Sequence, residues 1–223
     1  MTEPLVEPAT LSPGALSQEY LGCLLAADGR RARRLVEDGL AAGVPAATLY
    51  LEVIAPVMHE IGRLWETAQV SVAQEHLATQ ITQATIASLG LHLAGGEPVG
   101  AGRVAVVAAS PGERHALGGQ MVADFLEAQD WTVLSLGPDT PLHELVGLVK
   151  TRGAALVALS TALPGHLLSV TRTCQLLRRL SPSPYIVVGG RAYGGDAGRA
   201  RAVGADGFAD DPRALLGLLA AEL

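Results

Sequence analysis

The second half of this chain alternates between short apolar runs and helical patterns, and this alternation constrains the fold more than any other feature. Five runs are typical of buried strands: 103–109, 132–136, 155–160, 185–189 and 207–209. Each is followed by a segment of helical periodicity: 116–128, 141–152, 167–180, 197–203 and 212–221. Strands that alternate with helices form a doubly wound parallel sheet. The sequence therefore predicts an α/β domain over residues 102–223, with a Rossmann-like (flavodoxin-like) five-stranded parallel sheet.

The first half of the chain has a helical pattern over residues 12–94. Ser12 followed by Pro13 is typical of an N-cap with proline at the first helical position. The third helix contains Pro56, which predicts a kink, and a fourth helix is expected over residues 71–93. Four antiparallel helices with short loops predict an N-terminal four-helix bundle.

Composition and charge exclude several classes of function. The formal net charge of −6 argues against a nucleic-acid partner, because phosphate binding needs a basic surface. The chain has no apolar run long enough to cross a membrane and no basic N-terminal signal region, so we expect a cytoplasmic protein. Residues 1–11 are expected to be a flexible leader, and the Gly- and Pro-containing residues 95–101 a linker.

The residues with the clearest chemistry follow the first, third and fourth predicted strands. These landmarks are Glu113, His115 and Gly118; Ser160 and Leu163; and Gly189 and Gly190. Ligands of doubly wound sheets bind at the carboxyl ends of the strands, where all three landmarks fall. A histidine on such a loop can bind a metal while a nearby carboxylate holds its other nitrogen.

Together the three landmarks resemble the cobalamin-binding signature Asp-x-His-x-x-Gly, Ser-x-Leu and Gly-Gly. The resemblance implies that His115 binds cobalt from below in place of the cofactor's own nucleotide base. It also implies that Glu113, which stands where the signature usually has Asp, accepts the other N–H of His115. Gly118 would permit close packing of a helix on the sheet.

The resemblance also implies a binding slot for the displaced nucleotide base. Ser160 would place a hydroxyl near the mouth of that slot, with Leu163 in the same landmark. Gly189 and Gly190 would let the backbone approach the nucleotide where a Cβ would clash.

A second group of residues lies in the predicted bundle. Trp65 is followed after nine residues by Glu75 and His76, with Val72 between them. This pattern resembles the helical domain of light-responsive, adenosylcobalamin-binding regulators. The resemblance implies that Trp65 shields the cobalt–carbon bond and that Val72 packs against the adenosyl group. Glu75 would hydrogen-bond the ribose, supported by His76.

The sequence departs from those regulators in two respects. Glu66 follows Trp65, where the regulators often have a histidine that binds cobalt after illumination. A photoproduct with two histidine ligands on cobalt is therefore not expected. Glu66 is instead a candidate contact on the upper face of the cofactor. No counterpart of their DNA-binding helix-turn-helix domain precedes the bundle, so direct transcriptional repression is not expected. A related subgroup holds a bilin beside the cobalamin, and biliverdin is therefore a candidate second chromophore.

The leading prediction is a cobalamin-based light sensor that is not itself an enzyme and that forms a homodimer or higher homo-oligomer. It would act on a downstream protein partner that the sequence does not identify. The main alternative is a corrinoid methyl carrier serving separate methyltransferases, because such carriers share the bundle, the sheet and the histidine motif. An isomerase subunit would need a substrate barrel from another polypeptide. A purely structural protein would leave the three landmarks unexplained.

Overall fold

The computed structural model describes residues 12–93, 99–100 and 102–222. The chain divides into two compact units, Met1–Leu93 and Ala94–Leu223. The predicted leader and residues 95–98 and 101 of the predicted linker lie outside the described residues. Among the described helices, none combines the length and the apolar character needed to cross a bilayer.

The first unit is a four-helix bundle, as the sequence predicts. Its helices are α1 (Pro13–Leu25), α2 (Gly29–Ala41), α3 (Ala46–Thr48), α4 (Ala55–Glu66) and α5 (Val72–Leu89). A π-helical segment, Leu49–Ile54, joins α3 to α4 into one continuous helical stretch, and a 3-10 turn, Gly90–His92, follows α5. Ser12, Asp28 and Ser71 cap α1, α2 and α5, because each side chain accepts a hydrogen bond from a free backbone N–H of the first turn.

The bundle core contains two tyrosines that are fully buried and hydrogen-bonded. The Tyr20 hydroxyl donates to Thr82 Oγ1 over 3.2 Å, and the Tyr50 hydroxyl donates to the Ile86 carbonyl over 3.0 Å. Both bonds reach α5, so they help to fix that helix against its neighbours. Other buried apolar side chains of this unit are Leu16, Leu49, Val53, Ile54, Ile61 and Leu89.

In the structure Pro56 lies in the first turn of α4, directly after the π-helical segment, and the predicted kink stays a prediction. Proline has no N–H, so the carbonyl of Glu52, four residues earlier, loses its usual α-helical donor. The Ser17 hydroxyl of α1 donates to this carbonyl over 2.9 Å, and the Ala55 N–H bonds the Tyr50 carbonyl in the wider π pattern. The bundle therefore satisfies the backbone around the proline with a side chain from a neighbouring helix.

The second unit is a five-stranded, entirely parallel sheet in the order β2-β1-β3-β4-β5, which confirms the predicted flavodoxin-like fold. The strands are β1 (Val104–Ala109), β2 (Thr132–Ser135), β3 (Leu156–Ser160), β4 (Tyr185–Gly189) and β5 (Gly207–Phe208). The helices are α6 (Leu117–Glu127), α7 (Leu142–Arg152), α8 (Leu167–Leu177), α9 (Ala197–Ala202) and α10 (Pro212–Glu222).

Each face of the sheet has its own apolar core. Along β1, Val106 and Ala108 belong to one cluster, whereas Ala105 and Val107 belong to the other. Successive side chains of a strand point to opposite faces, so both faces of β1 are covered. A strand buried on both faces has a continuous apolar sequence, which is how β1 appears in the chain.

The contact between Ser17 and the π-helical segment leads to a test by double substitution. Ser17→Ala should lower the free energy of unfolding by about 1 kcal/mol, because the Glu52 carbonyl loses its donor. In a Pro56→Ala background the backbone N–H of the new alanine can donate to the Glu52 carbonyl. Ser17→Ala should therefore lower the free energy of unfolding by less in that background. Urea denaturation followed by circular dichroism measures both costs. An equal cost in the two backgrounds would contradict this explanation of the π segment.

Candidate functional site

The sheet order places a topological switch point between β1 and β3. The chain leaves β1 for β2 on one side, whereas β3 and the later strands lie on the other side. The loops after β1 and β3 therefore meet at the carboxyl edge, where ligands of this fold bind. The Ser110 N–H donates to the Ser160 carbonyl over 3.0 Å and joins the first residue after β1 to the last residue of β3.

Glu113 is the centre of this site. Its carboxylate is fully buried, and Oε1 accepts the backbone N–H groups of Arg114 at 2.9 Å and His115 at 3.1 Å. Oε2 accepts the backbone N–H groups of Ala162 at 2.9 Å and Leu163 at 3.0 Å, from the loop after β3. The carboxylate therefore joins the two loops of the switch point.

Glu113 is ionised despite its burial. Burial by itself would raise the pKa of the carboxyl, but the hydrogen bonds from His115, from His166 and from the backbone outweigh it and lower the pKa to about 2. An ionised carboxylate can only accept hydrogen bonds. Each histidine nitrogen that contacts it must therefore carry a proton.

His115 contacts Glu113 Oε1 through its Nδ1 atom. Because Nδ1 must donate, the neutral imidazole keeps its lone pair on Nε2. Nε2 has no hydrogen-bond partner in the described part of the chain, and the side chain is 48% exposed. An accessible imidazole nitrogen, oriented by a carboxylate on the other side of the ring, is the usual arrangement of a histidine that binds a metal.

A second histidine binds the same carboxylate, which the sequence did not predict. His166 lies in the 3-10 turn Pro164–His166 after β3, and its Nδ1 is 3.0 Å from Glu113 Oε2. The sequence places His166 at the correct edge of the sheet, but nothing in its spacing indicates a contact across 53 positions. Only the pairing of β1 with β3 brings the two residues together.

Asp139 fastens a third loop to the site. Its Oδ1 accepts the Gly112 N–H over 3.0 Å, and its own N–H donates to the Glu113 carbonyl over 3.0 Å. Asp139 follows β2, so all three strands around the switch point contribute to the loop that carries His115. The sequence analysis gave this residue no role.

Ser160 and Gly118 lie against each other at the start of α6. A Cβ at Gly118 would lie 3.1 Å from Ser160 Oγ, which is closer than most such contacts. The glycine thus allows the helix to approach the end of β3, in keeping with the prediction of close packing. The Ser160 hydroxyl has no hydrogen-bond partner within the described ranges, so its capacity is available to a ligand.

Gly189 and Gly190 are required by the protein's own backbone. A Cβ at Gly189 would lie 2.3 Å from the Ala209 carbonyl oxygen, and one at Gly190 would lie 2.4 Å from the Thr161 carbonyl oxygen. Gly190 also has a φ of +104°, which other residues rarely adopt. Close backbone contacts thus explain why both positions are glycine, which the sequence analysis did not consider. Contact of these glycines with a nucleotide stays a prediction.

The residues singled out in the bundle lie at the turn between α4 and α5. Trp65 is the last but one residue of α4 and is 38% exposed, and Val72 is an exposed residue at the start of α5. His76 Nδ1 lies 2.7 Å from the Val72 carbonyl and 3.2 Å from Glu75 Oε2. Glu75 Oε1 also accepts the Thr79 hydroxyl over 2.9 Å, so this carboxylate is held on the helix surface.

A half-exposed histidine at the switch point of a flavodoxin-like sheet, preceded by a helical bundle, defines a cofactor-binding α/β protein. Two family comparisons give the particular class. Residues 16–89 and residues 103–216 each match a B12 binding domain. The chain belongs to the B12-binding family and is a cobalamin-binding module.

The relatives include a regulator and corrinoid proteins. The chain is 33% identical over 176 residues to the HTH-type transcriptional repressor CarH of Myxococcus xanthus, covering 78% of this chain and 57% of that protein. The monomethylamine corrinoid protein of Methanosarcina barkeri has a similar fold, with a TM-score of 0.80 and 20% identity over 94% of this chain and all of its own. A cobalamin-binding protein of Desulfitobacterium hafniense DCB-2 gives a TM-score of 0.51 and 21% identity, covering 93% and 98%.

The residues at the switch point fit a corrinoid. A histidine binds cobalt through the lone pair of a ring nitrogen. The Glu113 contact leaves that lone pair on the accessible Nε2 of His115. The unpaired Ser160 hydroxyl lies at the same edge of the sheet. That His115 binds cobalt remains a prediction, supported by the orientation of its ring.

The buried carboxylate predicts a specific dependence of stability on pH. Because the pKa of Glu113 falls from 4.5 to about 2 on folding, its contribution is complete above about pH 4.5 and is lost as the pH falls towards 2. Glu113→Gln should lower the free energy of unfolding by roughly 3 kcal/mol at pH 7, and the gap to the wild type should close at low pH.

The matched control is Glu144→Gln, which changes an exposed carboxylate on α7. It should change the stability by less than about 0.5 kcal/mol at any pH. Urea denaturation from pH 2 to pH 7 measures both variants without added cobalamin. A constant gap between Glu113→Gln and the wild type across this range would contradict the assignment of an ionised carboxylate.

Proposed function

We propose that this chain is a light-sensing module that binds adenosylcobalamin with His115 as the lower axial ligand of cobalt. The observation that carries the proposal is the imidazole of His115, whose Nδ1 is fixed by the ionised Glu113 and whose Nε2 is left accessible. The second support is the group at the turn between α4 and α5, which matches the pattern Trp-x9-Glu-His of the light-responsive regulators.

In this proposal, the α/β unit holds the lower side of the cofactor. His115 gives its Nε2 lone pair to the metal, and Glu113 keeps the proton on Nδ1 and fixes the ring angle. The free hydroxyl of Ser160 and the backbone near Gly189 and Gly190 would bind the displaced nucleotide base. Gly118 keeps α6 close to β3 beside this region.

The helical unit would bind the upper, adenosyl group. The exposed Trp65 offers an aromatic face, Val72 offers an apolar surface, and Glu75 offers acceptor oxygens for ribose hydroxyls, with His76 beside it. When bound, adenosylcobalamin supplies a cobalt–carbon bond that light can break. Trp65, Val72 and Glu75 would then have contacts in the dark that are absent after illumination, which is a difference that a sensor can transmit.

The relative named as a transcriptional repressor supports a regulatory function. This chain spans 57% of that protein's length, so its repressor activity is not transferred here. We infer instead that the light-dependent change alters the association of this chain with itself or with a protein partner. Glu66, which follows Trp65, is proposed as a further contact on the upper side, and a biliverdin site beside it is a subsidiary hypothesis.

A corrinoid methyl carrier is the second candidate. The fold shared with the monomethylamine corrinoid protein along 94% of this chain favours it. A methyl group has no sugar, however, and would make no use of Glu75. The two functions therefore differ in the residues of the bundle that they require.

Illumination of the purified complex separates the two functions. Protein loaded with adenosylcobalamin in darkness should show a prompt change in absorption and in elution volume when illuminated. A photostable complex that exchanges methyl groups with a corrinoid methyltransferase would instead identify a carrier. Far-red absorption after addition of biliverdin would reveal a second chromophore.

Substitution of His115 tests the proposed metal ligand. His115→Ala should abolish the absorption spectrum of histidine-bound cobalt, while circular dichroism stays that of the wild type. His166→Ala is the matched control, because His166 binds the same carboxylate but is not the proposed ligand. It should retain the histidine-bound spectrum. An unchanged spectrum in His115→Ala would refute the ligand assignment.

Substitution of Trp65 tests the proposed adenosyl contact. Trp65→Ala should weaken binding of adenosylcobalamin by about tenfold or more, a loss of about 1.4 kcal/mol, while binding of hydroxocobalamin changes little. Leu25→Ala removes another exposed apolar side chain of the same unit and should leave both affinities unchanged. Equal losses for the two cobalamins in Trp65→Ala would exclude a role specific to the adenosyl group.

A further inference from the structure

His115 lies on the loop between β1 and α6, residues 110–116, which we call the ligand loop. Within this loop the Glu113 N–H donates to the Ser110 carbonyl over 2.8 Å, which closes one turn. A loop holds a side chain less precisely than a helix or a strand does, unless contacts from other elements fix it. The position of the His115 imidazole therefore depends on what holds the backbone of the ligand loop.

Asp139, in the loop after β2, holds this backbone at two points. Its Oδ1 accepts the Gly112 N–H, and its own N–H donates to the Glu113 carbonyl, each over 3.0 Å. Two bonds to one short stretch of backbone fix both its position and its orientation. The loop after β2 thus holds the backbone of Glu113, while the N–H groups after β3 hold its carboxylate.

The backbone of Asp139 has a left-handed conformation that its side chain helps to explain. Its φ is +52°, a value that Asp and Asn tolerate better than most other residues. Glycine adopts such a conformation at lower cost, as Gly137 does two residues earlier with a φ of +67°. The bond from the Gly112 N–H to Oδ1 gives a reason for aspartate at this position, because glycine would have no acceptor there.

Asp130 shows the same residue type in the same conformation without this contact. It precedes β2, is exposed and has a φ of +63°. In the part of the chain that the structure describes, its carboxylate accepts no hydrogen bond. Left-handed aspartates thus lie before and after β2, and Asp139 is the one that bonds the ligand loop. Asp130 is therefore a matched control for Asp139.

The loop that carries Asp139 is stiff. Pro138 precedes this residue and Pro141 follows two positions later, and each proline ring fixes its own φ. The Ala109 N–H donates to the Gly137 carbonyl over 3.0 Å, so the start of the loop is joined to the end of β1. Asp139 can therefore hold the ligand loop at a fixed distance from the sheet.

Ser169 of α8 contacts the ligand loop from the side of β3. Its hydroxyl lies 2.9 Å from the Pro111 carbonyl oxygen and 2.7 Å from the His166 carbonyl oxygen. A hydroxyl has one proton to donate, so the two carbonyls share it. Asp139 instead uses a separate donor and a separate acceptor for its two bonds. We therefore expect Asp139 to contribute more than Ser169 to the position of the loop.

We propose that Asp139 is a positioning residue for the cobalt ligand, because it fixes the backbone that sets the place and angle of the His115 ring. This inference rests on the proposed function, in which His115 is the lower ligand of cobalt. Residues that orient a metal ligand without touching the metal typically change metal affinity by about tenfold or more. Glu113 acts on the imidazole itself, whereas Asp139 acts through the backbone of the ligand loop.

Three substitutions separate the hydrogen bond from the backbone conformation. Asp139→Gly allows the left-handed backbone but removes the acceptor, so it should weaken binding of hydroxocobalamin by about tenfold. Asp139→Asn keeps an Oδ1 acceptor and tolerates the same φ, so its affinity should stay within about twofold of the wild type. Asp130→Gly should also stay within about twofold, because no side-chain contact is lost. Absorption titration measures the affinities, and circular dichroism checks the fold of each variant.

Hydrogen exchange of the chain without cobalamin tests the contact itself. The Gly112 amide should exchange at least about tenfold faster in Asp139→Gly, because the N–H loses its acceptor. In Asp139→Asn and Asp130→Gly it should exchange at nearly the wild-type rate. Buried amides of β1, such as that of Val106, should exchange alike in all variants, which a general loss of stability would not allow. Nuclear magnetic resonance resolves the individual amides.

The contrary outcomes fall on different steps of the argument. Unchanged exchange of the Gly112 amide in Asp139→Gly would overturn the contact. Faster exchange with unchanged affinity for hydroxocobalamin would overturn the positioning role, and equal losses in Asp139→Gly and Asp139→Asn would overturn the hydrogen bond as its cause. Failure of the proposed function is a separate result, because it would appear as an unchanged spectrum in His115→Ala. The exchange of the Gly112 amide does not depend on that spectrum.

Discussion

The Glu113 carboxylate is the interaction on which the candidate site depends. It is buried and ionised, a state that is costly unless every lone pair meets a donor. Backbone N–H groups from two loops and the Nδ1 atoms of His115 and His166 meet that requirement. The same contacts fix the tautomer of His115 and hold the loops after β1 and β3 together. The orientation of the proposed metal ligand and the local stability therefore both depend on one side chain.

Gly190, the first residue after β4, supports this arrangement through a close backbone contact. A Cβ at Gly190 would collide with the Thr161 carbonyl, and that carbonyl also accepts the Ala192 N–H over 3.1 Å. Thr161 immediately precedes Ala162 and Leu163, whose N–H groups bind Glu113. Close approach of the chain after β4 thus helps to position the donors of the central carboxylate. Backbone packing after β4 and the contacts of Glu113 are therefore linked across three strands.

The two units of the chain carry different parts of the proposed function. The α/β unit contains the imidazole and its carboxylate, which suit any corrinoid. In the proposed function, Trp65, Val72 and Glu75 of the bundle distinguish an adenosyl from a methyl ligand.

The sequence by itself determined the strands, the helices, the parallel sheet and the Glu113–His115 pair, because apolar periodicity and a separation of two residues are local properties. It did not determine that His166 shares the carboxylate of Glu113, or that Asp139 fastens the loop through Gly112. Nor did it show that Ser17 replaces the donor missing at Pro56. Those contacts join residues far apart in the chain, and they exist only once strand order and helix packing have brought the partners together.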